Sequence, residues 1–386
     1  MNTEELLFAL IRIAVCGEAA AEAVKTACTD EALQKAITLA TRYDLSHLVG
    51  VAVDKLGLPE TELTKRCKQL PMQAMFRYVR LNYEYEAVCK TLEEGKIPFI
   101  PLKGSVLRVW YPEAWMRTSC DMDILVNEAE AETASKLLQD KLHYTYEGRS
   151  PHDLALSAPG GEHLELHYTA LEEGEFPQAR KIMAGIWADA KPVEGKQYHL
   201  QISDELFYYY HMAHMAKHFE IGGCGIRPVL DIWILNNRVA HDRKARETLL
   251  QKGGLLTFAR AAEKLSEIWF SGKETDSLSA QMQRFILSGG NYGGVENRVA
   301  IAHARKGGKL QYIISRLFLP YDIMKLYYPA LRKHKWMLPF CHIARWFKRL
   351  FDGGLGRSAR ELKANAAISQ DEELSVAELL KYLELE

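Results

Sequence analysis

Two aspartates at alternate positions, Asp121 and Asp123, lie in the stretch Asp121-Met122-Asp123-Ile124-Leu125-Val126, which has the length and apolar content of a strand. Side chains two apart on a strand point to the same face, so these carboxylates project together while Met122 and Ile124 face the other way. Parallel carboxylates repel unless a cation lies between them. Magnesium suits that place, because it takes a few carboxylate oxygens and completes its shell with water and substrate phosphate. A two-metal phosphoryl-transfer site generally needs a third acid. Glu162-His163-Leu164-Glu165-Leu166-His167 alternates strictly and puts His163, Glu165 and His167 on one face. We take Glu165 as the third acid, with Glu162 and Asp153 as alternatives.

Upstream, the apolar run Ile97–Leu102 has strand length, and Gly104-Ser105 ends it and opens a helix through Tyr111. A strand, a tight turn and a helix N-terminus together present free N–H groups and the positive end of a helix dipole to a phosphate. Lys103 can neutralise a phosphate oxygen or lie at the surface. Arg117 can grip a phosphate or carboxylate bidentately, or brace the aspartate strand electrostatically.

Gly104-Ser105, followed by Asp121-x-Asp123 and a later strand acid, resembles the nucleotidyltransferase superfamily with the DNA polymerase beta-like catalytic fold. The fuller set is Leu102-Lys103-Gly104, Tyr111, Arg117, Asp121-Met122-Asp123, Leu164-Glu165-Leu166-His167, His211-x-x-His214-x-x-Lys217-His218, Gly225-Ile226-Arg227 with Asp231, and Ser288-Gly289-Gly290-x-Tyr292-Gly293. It resembles a largely uncharacterised bacterial branch of that superfamily over roughly Pro98 to Pro339. Lys103 before Gly-Ser and the long gap from Ser105 to Asp121 depart from the commonest pattern. The resemblance implies transfer of a nucleoside monophosphate from an NTP to an acceptor, with release of pyrophosphate. Asp121, Asp123 and Glu165 would hold Mg2+ or Mn2+, and Lys103, Gly104, Ser105 and Arg117 would meet the nucleotide. The acceptor stays open among small molecules, peptides and RNA, because it is read by cleft shape rather than by the catalytic motif.

His211, His214 and His218 recur at helical spacing and lie close to one helix face. With His167, Lys217 and Arg227 they form a possible cleft lining; a metal site and plain helix packing are the other readings. Arg227 and Asp231 are spaced to pair on a helix. Two other functions stay open: a non-catalytic nucleotide-binding or partner-binding relative, and a metal hydrolase built on the histidine cluster.

The chain has 386 residues, a formal net charge of −1 and seven cysteines. That balance argues against wholesale nucleic-acid coating. The cysteines are scattered, never in a Cys-x-x-Cys pair, which fits a reducing cytoplasm and argues against a structural zinc cluster. No apolar stretch approaches the roughly 18 residues of a membrane span. A cytoplasmic setting is expected. Residues 303–350 are basic against Asp322 alone, and Trp336, Phe340, Trp346 and Phe347 give them aromatic partners, so nucleic acid is possible there but not favoured.

The periodicities predict an α+β protein: a small mixed-sheet nucleotidyltransferase core, polymerase beta-like, flanked by N- and C-terminal helical subdomains. The expected divisions are 1–95, helical; 96–171, the catalytic core; 172–300, helices lining the cleft; and 301–386, a basic helical region and tail. Within them Thr3 and Asp30 are expected to cap helices, Pro71 to open a long helix ending at Gly95, and Asn127 to cap another. Strands are expected at 97–102, 120–126, 142–147, 153–157 and 162–168. Ser288–Gly294 reads as a flexible loop and the stretch before the last helix as a polar linker.

Overall fold

The structure, a computed structural model, describes residues 1–171, 176–290, 293–306, 308–351 and 355–385. Asn291 and Tyr292 of the glycine-rich stretch lie outside them.

The first helices are α1 (Thr3–Ile11), continued by a π-helical turn to Cys16, α2 (Glu22–Ala27), α3 (Asp30–Arg42), α4 (Ser46–Leu56) and the long α5 (Glu62–Glu94). Three starts differ from expectation. Asn2 caps α1 in a capping box with Glu5, and Thr29 caps α3, each one residue before the expected cap, because Thr3 and Asp30 already lie within their helices. Pro71 does not open α5, which begins at Glu62 under a Thr61 cap and runs through the proline. Pro71 has no N–H for the carbonyl four residues back, that of Cys67. α4 lies against that break: a Cβ on Gly50 would stand 2.3 Å from the Cys67 oxygen and 2.7 Å from Pro71 Cδ.

The sheet follows, as β1 (Phe99–Pro101), β2 (Asp121–Val126), β3 (Thr145–Arg149), β4 (Asp153–Ser157) and β5 (His163–His167). The short α6 (Gly104–Leu107) and α7 (Ala131–Leu142) fall between strands. Asn127 opens only a 3-10 turn and makes no capping bond; its amide donates to Glu130 instead. The strand order is β1-β2-β5-β4-β3 in a five-stranded mixed sheet. β2 and β5 run parallel, while the other neighbours are antiparallel. One face carries Met122, Ile124, Val126, Leu154, Leu156, Leu164 and Leu166, buried against Val88 and Leu92 of α5 and Ala134 and Leu138 of α7. The period of two therefore leaves the acids on the opposite face.

Beyond the sheet come α8 (Pro177–Met183), α9 (Ile186–Asp189), a ribbon of β6 (Lys191–Pro192) and β7 (Leu200–Gln201), α10 (Asp204–Glu220), α11 (Arg227–Asn237), α12 (Arg243–Lys252), α13 (Leu256–Ser271) and α14 (Ser277–Gly289). The last helices are α15 (Val295–Lys306), α16 (Lys309–Leu317), α17 (Tyr321–Tyr327), α18 (Leu338–Phe351), α19 (Leu355–Ala367) and α20 (Gln370–Tyr382). α19 occupies much of the expected polar linker. No helix of the described residues is long and apolar enough to cross a membrane.

The chain forms two compact units: residues 1–217 with 226–279, and 218–225 with 280–386. The first holds the sheet and α1–α9. In the second, Val299, Ala300, Tyr312, Ala364 and Ile368 form one small core and Met324, Leu331 and Cys341 another. Buried His303 meets Asn365 Oδ1 at 2.6 Å. Part of its basic charge is structural, since Arg345 donates to the Arg316 and Leu317 carbonyls at the end of α16.

Gly50→Ala should destabilise the first unit by about 1–3 kcal/mol, because the added methyl meets backbone and a proline ring rather than a movable side chain. Urea unfolding checks this; an unchanged midpoint would show that α4 and α5 do not need the close approach.

Candidate active site

The parallel register of β2 and β5 sets Asp123 beside Glu165 and Leu125 beside His167. The ligand atoms of Asp123, Glu165 and His167 lie within 4.8 Å of one another. Two nitrogen groups share one oxygen there. Lys103 Nζ is 2.7 Å from Asp123 Oδ1 and 3.8 Å from Glu165 Oε2, and His167 Nε2 is 2.9 Å and 3.2 Å from the same two atoms. Asp121 stands one step along the face and takes no hydrogen bond or ion pair among the described residues. Burial raises its pKa, and the nearby charges of Asp123 and Glu165 add to that against Lys103 and Arg117. Asp123 goes the other way: burial opposes it, yet Lys103 and His167 hold its pKa below the ordinary carboxylate value. Burial also opposes Lys103 and His167, whose contacts with the acids raise both. The site thus keeps one uncompensated acid beside two that already hold cations.

The alternative acids lie elsewhere. Glu162 pairs with Arg80 at 2.5 Å, and Asp153 with His152 at 3.0 Å. His152, Asp153 and His167 make a second grouping of possible ligands, which shares His167 with the first.

Before α6 the chain makes an unusual turn. Leu102 N–H bonds to the Asp123 carbonyl at 2.9 Å, and Lys103 then takes φ +48°, a left-handed value that costs a non-glycine residue of the order of 1–3 kcal/mol. Gly104 is needed for space: a Cβ there would meet Ser119 Oγ at 2.1 Å. Ser105 Oγ is buried with no hydrogen-bond partner. Beneath the turn, buried Arg108 donates to the Gly104 carbonyl at 2.9 Å, a brace that sequence reasoning missed.

Arg117 is engaged away from the acid row. Its Nε and Nη2 grip Asp231 of α11 at 2.8 and 2.9 Å, its Nη1 donates to the Thr118 carbonyl, and Tyr111 donates to Asp231 at 2.7 Å. The guanidinium is thus held by Asp231 and the Thr118 carbonyl, while its Nη1 stays 3.6 Å from where a Cβ on Gly104 would stand. Asp231 faces Arg117 and Tyr111, while Arg227 reaches the Thr118 carbonyl and Asp44 Oδ2, both at 3.1 Å. Asp44 also accepts from Thr118 Oγ1 at 2.7 Å, and nothing in the sequence around it signalled this role.

On α10, His211 turns its Nε2 to the Pro228 carbonyl at 3.1 Å, and burial lowers its pKa. His214 lies tilted against Tyr210 with ring centroids 6.2 Å apart. Lys217 ends the first unit's segment, and His218 belongs to the second unit. The acid row also affects Tyr210 of this helix: burial raises its pKa, Lys103 opposes, and Asp123 and Glu165 add to the rise.

Residues 29–271 match the protein family described as "Uncharacterised nucleotidyltransferase". The chain belongs to this family. No curated protein and no solved structure matches it. The matched span runs from the start of α3 to the end of α13, so the family region contains the whole acid row, the Lys103 turn and the Arg117–Asp231 pair of this nucleotidyltransferase.

Asp231→Asn leaves Arg117 buried without its counter-charge and should cost about 3–5 kcal/mol at neutral pH. Burial would raise the Asp231 pKa, but Arg117, His211 and Tyr111 hold it below the ordinary value. Its stabilisation is therefore full above the unfolded-state pKa of about 3.9 and is lost as pH falls toward the lower folded value. Urea unfolding of both proteins from neutral to acid pH should show a gap that narrows only below about pH 4. A gap absent at neutral pH, or constant throughout, would contradict the assigned pair.

Proposed function

We propose that the chain is a metal-dependent nucleotidyltransferase that moves a nucleoside monophosphate from an NTP to an acceptor, and that its sheet is a polymerase beta-like catalytic core. The observation that carries this is the placement of Asp121, Asp123 and Glu165 on one sheet face, with the ligand atoms of Asp123 and Glu165 within 4.8 Å of each other, beside the Gly104-Ser105 turn. The donor set fits Mg2+ or Mn2+: carboxylate oxygens dominate, and half-buried Asp121 makes no ion pair among the described residues. Such an ion, held by Asp121, Asp123 and Glu165, supplies charge stabilisation at the attacking and leaving oxygens of an in-line displacement.

The chain's own residues do the rest. Gly104 and Ser105 cradle the triphosphate with backbone N–H groups and the unpartnered Ser105 hydroxyl, and Lys103 offsets its charge. Arg117 acts at a distance by fixing the loop that leads into β2. The acceptor oxygen bonds to the α-phosphorus, the bond from that phosphorus to the pyrophosphate oxygen breaks, and the acceptor's proton passes to Glu165. The partners are an NTP and an acceptor, and the active form is expected in the cytoplasm.

A second reading, a nucleotide-binding relative without catalysis, draws support from the Lys103 ammonium lying against the acids, since a resident cation there removes part of the need for a metal.

Magnesium-dependent pyrophosphate release from each NTP, with cell extract as acceptor source, tests the proposal. Release should fall by about 10³ or more in Asp121→Asn/Asp123→Asn, in keeping with the several kcal/mol such an ion supplies. Equal silence of native and variant protein, with NTP still bound by both, would transfer the case to the second reading. Lys103→Met separates the two further. If the ammonium competes with the ion, Mn2+ followed by electron spin resonance should bind the nucleotide-free variant more tightly, by about tenfold for each 1.4 kcal/mol of competition. Unchanged Mn2+ affinity would show that Lys103 does not occupy the ion's place.

A further inference from the structure

A cavity of about 560 Å³ opens beyond the end of the acid row, lined by Leu125 of β2, by Tyr168–Leu171 just past β5, and by α8 and α9. Its place along the strands matters. On β2 the face that carries Asp121 and Asp123 continues to Leu125, which pairs with His167. Side chains two apart on a strand are about 7 Å apart, so the cavity begins one step beyond Asp123.

The phosphate turn lies at the opposite end. β1 is antiparallel to β2, with Pro101 opposite Ile124, so the chain leaving β1 travels toward the start of β2. Gly104 accordingly packs on Ser119, just ahead of Asp121. Along this face the order is therefore phosphate turn, acids, cavity. An in-line displacement places the entering oxygen and the leaving pyrophosphate on opposite sides of the reacting phosphorus. With the triphosphate at the turn, the cavity stands on the entering side.

The lining also narrows the chemistry. Met183 and Trp187 offer apolar and aromatic surface, and Arg180 and Lys181 are the charged groups among the described lining residues. The size suits a small molecule, since such sites commonly measure about 300–1,000 Å³. We propose that this cavity is the acceptor site and that the acceptor is a small organic anion, a planar or apolar body bearing a phosphate or carboxylate. Arg180 and Lys181 receive the anionic group, and Trp187 packs on the body. The role as acceptor site rests on the nucleotidyltransferase reading, and the transfer step is the one written above with no further reactant.

Phenyl phosphate is a suitable probe, titrated calorimetrically into the full chain with and without Mg2+ and the non-hydrolysable α,β-methylene ATP. It should bind the native protein in both conditions. Arg180→Ala/Lys181→Ala should weaken it by about tenfold or more, as loss of charge-assisted bonds implies, and move the ATP analogue's affinity less than twofold. Both side chains are exposed, and circular dichroism checks that the variant folds. Benzylamine, of similar shape and opposite charge, should not bind. Displacement of phenyl phosphate by the ATP analogue would make the cavity a nucleoside site and overturn the proposal. So would absence of binding at about 10 mM, which is weaker than about 3 kcal/mol of affinity, or binding indifferent to the Arg180/Lys181 change. Asp121→Asn/Asp123→Asn separates the two proposals: phenyl phosphate binding retained in a protein that transfers no nucleotide leaves the cavity an organic-anion site and removes only the catalytic reading.

Discussion

Three carboxylates on adjoining positions of one parallel strand pair repel one another, and much of the first unit can be understood as the structure that holds them there. The pairing of β2 with β5 brings Asp123 and Glu165 level. A parallel pair needs a crossover, supplied here by α7 and the β3–β4 hairpin. The same alternation that sets the acids on one face buries Met122, Ile124, Leu164 and Leu166 under α5 and α7 on the other. A slip of one residue in either strand would exchange the two sets, so the hydrophobic face fixes the register on which the acid face depends.

The start of β2 is held differently. Asp231 joins Arg117 and Tyr111, while Asp44 joins Thr118 and Arg227, so segments far apart in sequence meet on the short stretch 111–118. Buried pairs of this kind add little net stability over an apolar equivalent, because desolvation offsets much of the attraction. What they impose is direction. A planar guanidinium held by both oxygens of one carboxylate leaves the following residues little freedom, and Asp121 is only a few residues on.

The sheet was legible in the sequence because its signals are local. Alternation and the apolar run before Gly104 place all five strands close to their observed bounds. The α5 start was not legible, since a proline is ordinarily an opening signal and its tolerance inside a helix depends on Gly50 of a neighbouring helix. Among site residues, spacing marked Asp121, Asp123, Glu165 and the Gly-Ser turn, and the resemblance added Arg117. The partner of Arg117 was beyond reach, because Asp231 meets it only through tertiary packing, as Asp44 meets Thr118 and Arg227. Tyr210 and the α8–α9 cavity were hidden for the same reason: neither has a periodic or motif signature of its own.

Lys103 shows how strain and charge combine. Its left-handed backbone would suit glycine, which adopts positive φ at little cost. A lysine there gives up backbone energy, and surface placement alone would not require it, since any ordinary position could carry an exposed ammonium. What this position provides is a short reach from the phosphate turn to Asp123 Oδ1. The ammonium offsets the repulsion among the acids while they lack an ion, and it stands next to the turn where a triphosphate's charge would arrive. The strained turn therefore ties neutralisation of the acids to the place proposed for the phosphate, so that one side chain could answer to both charges.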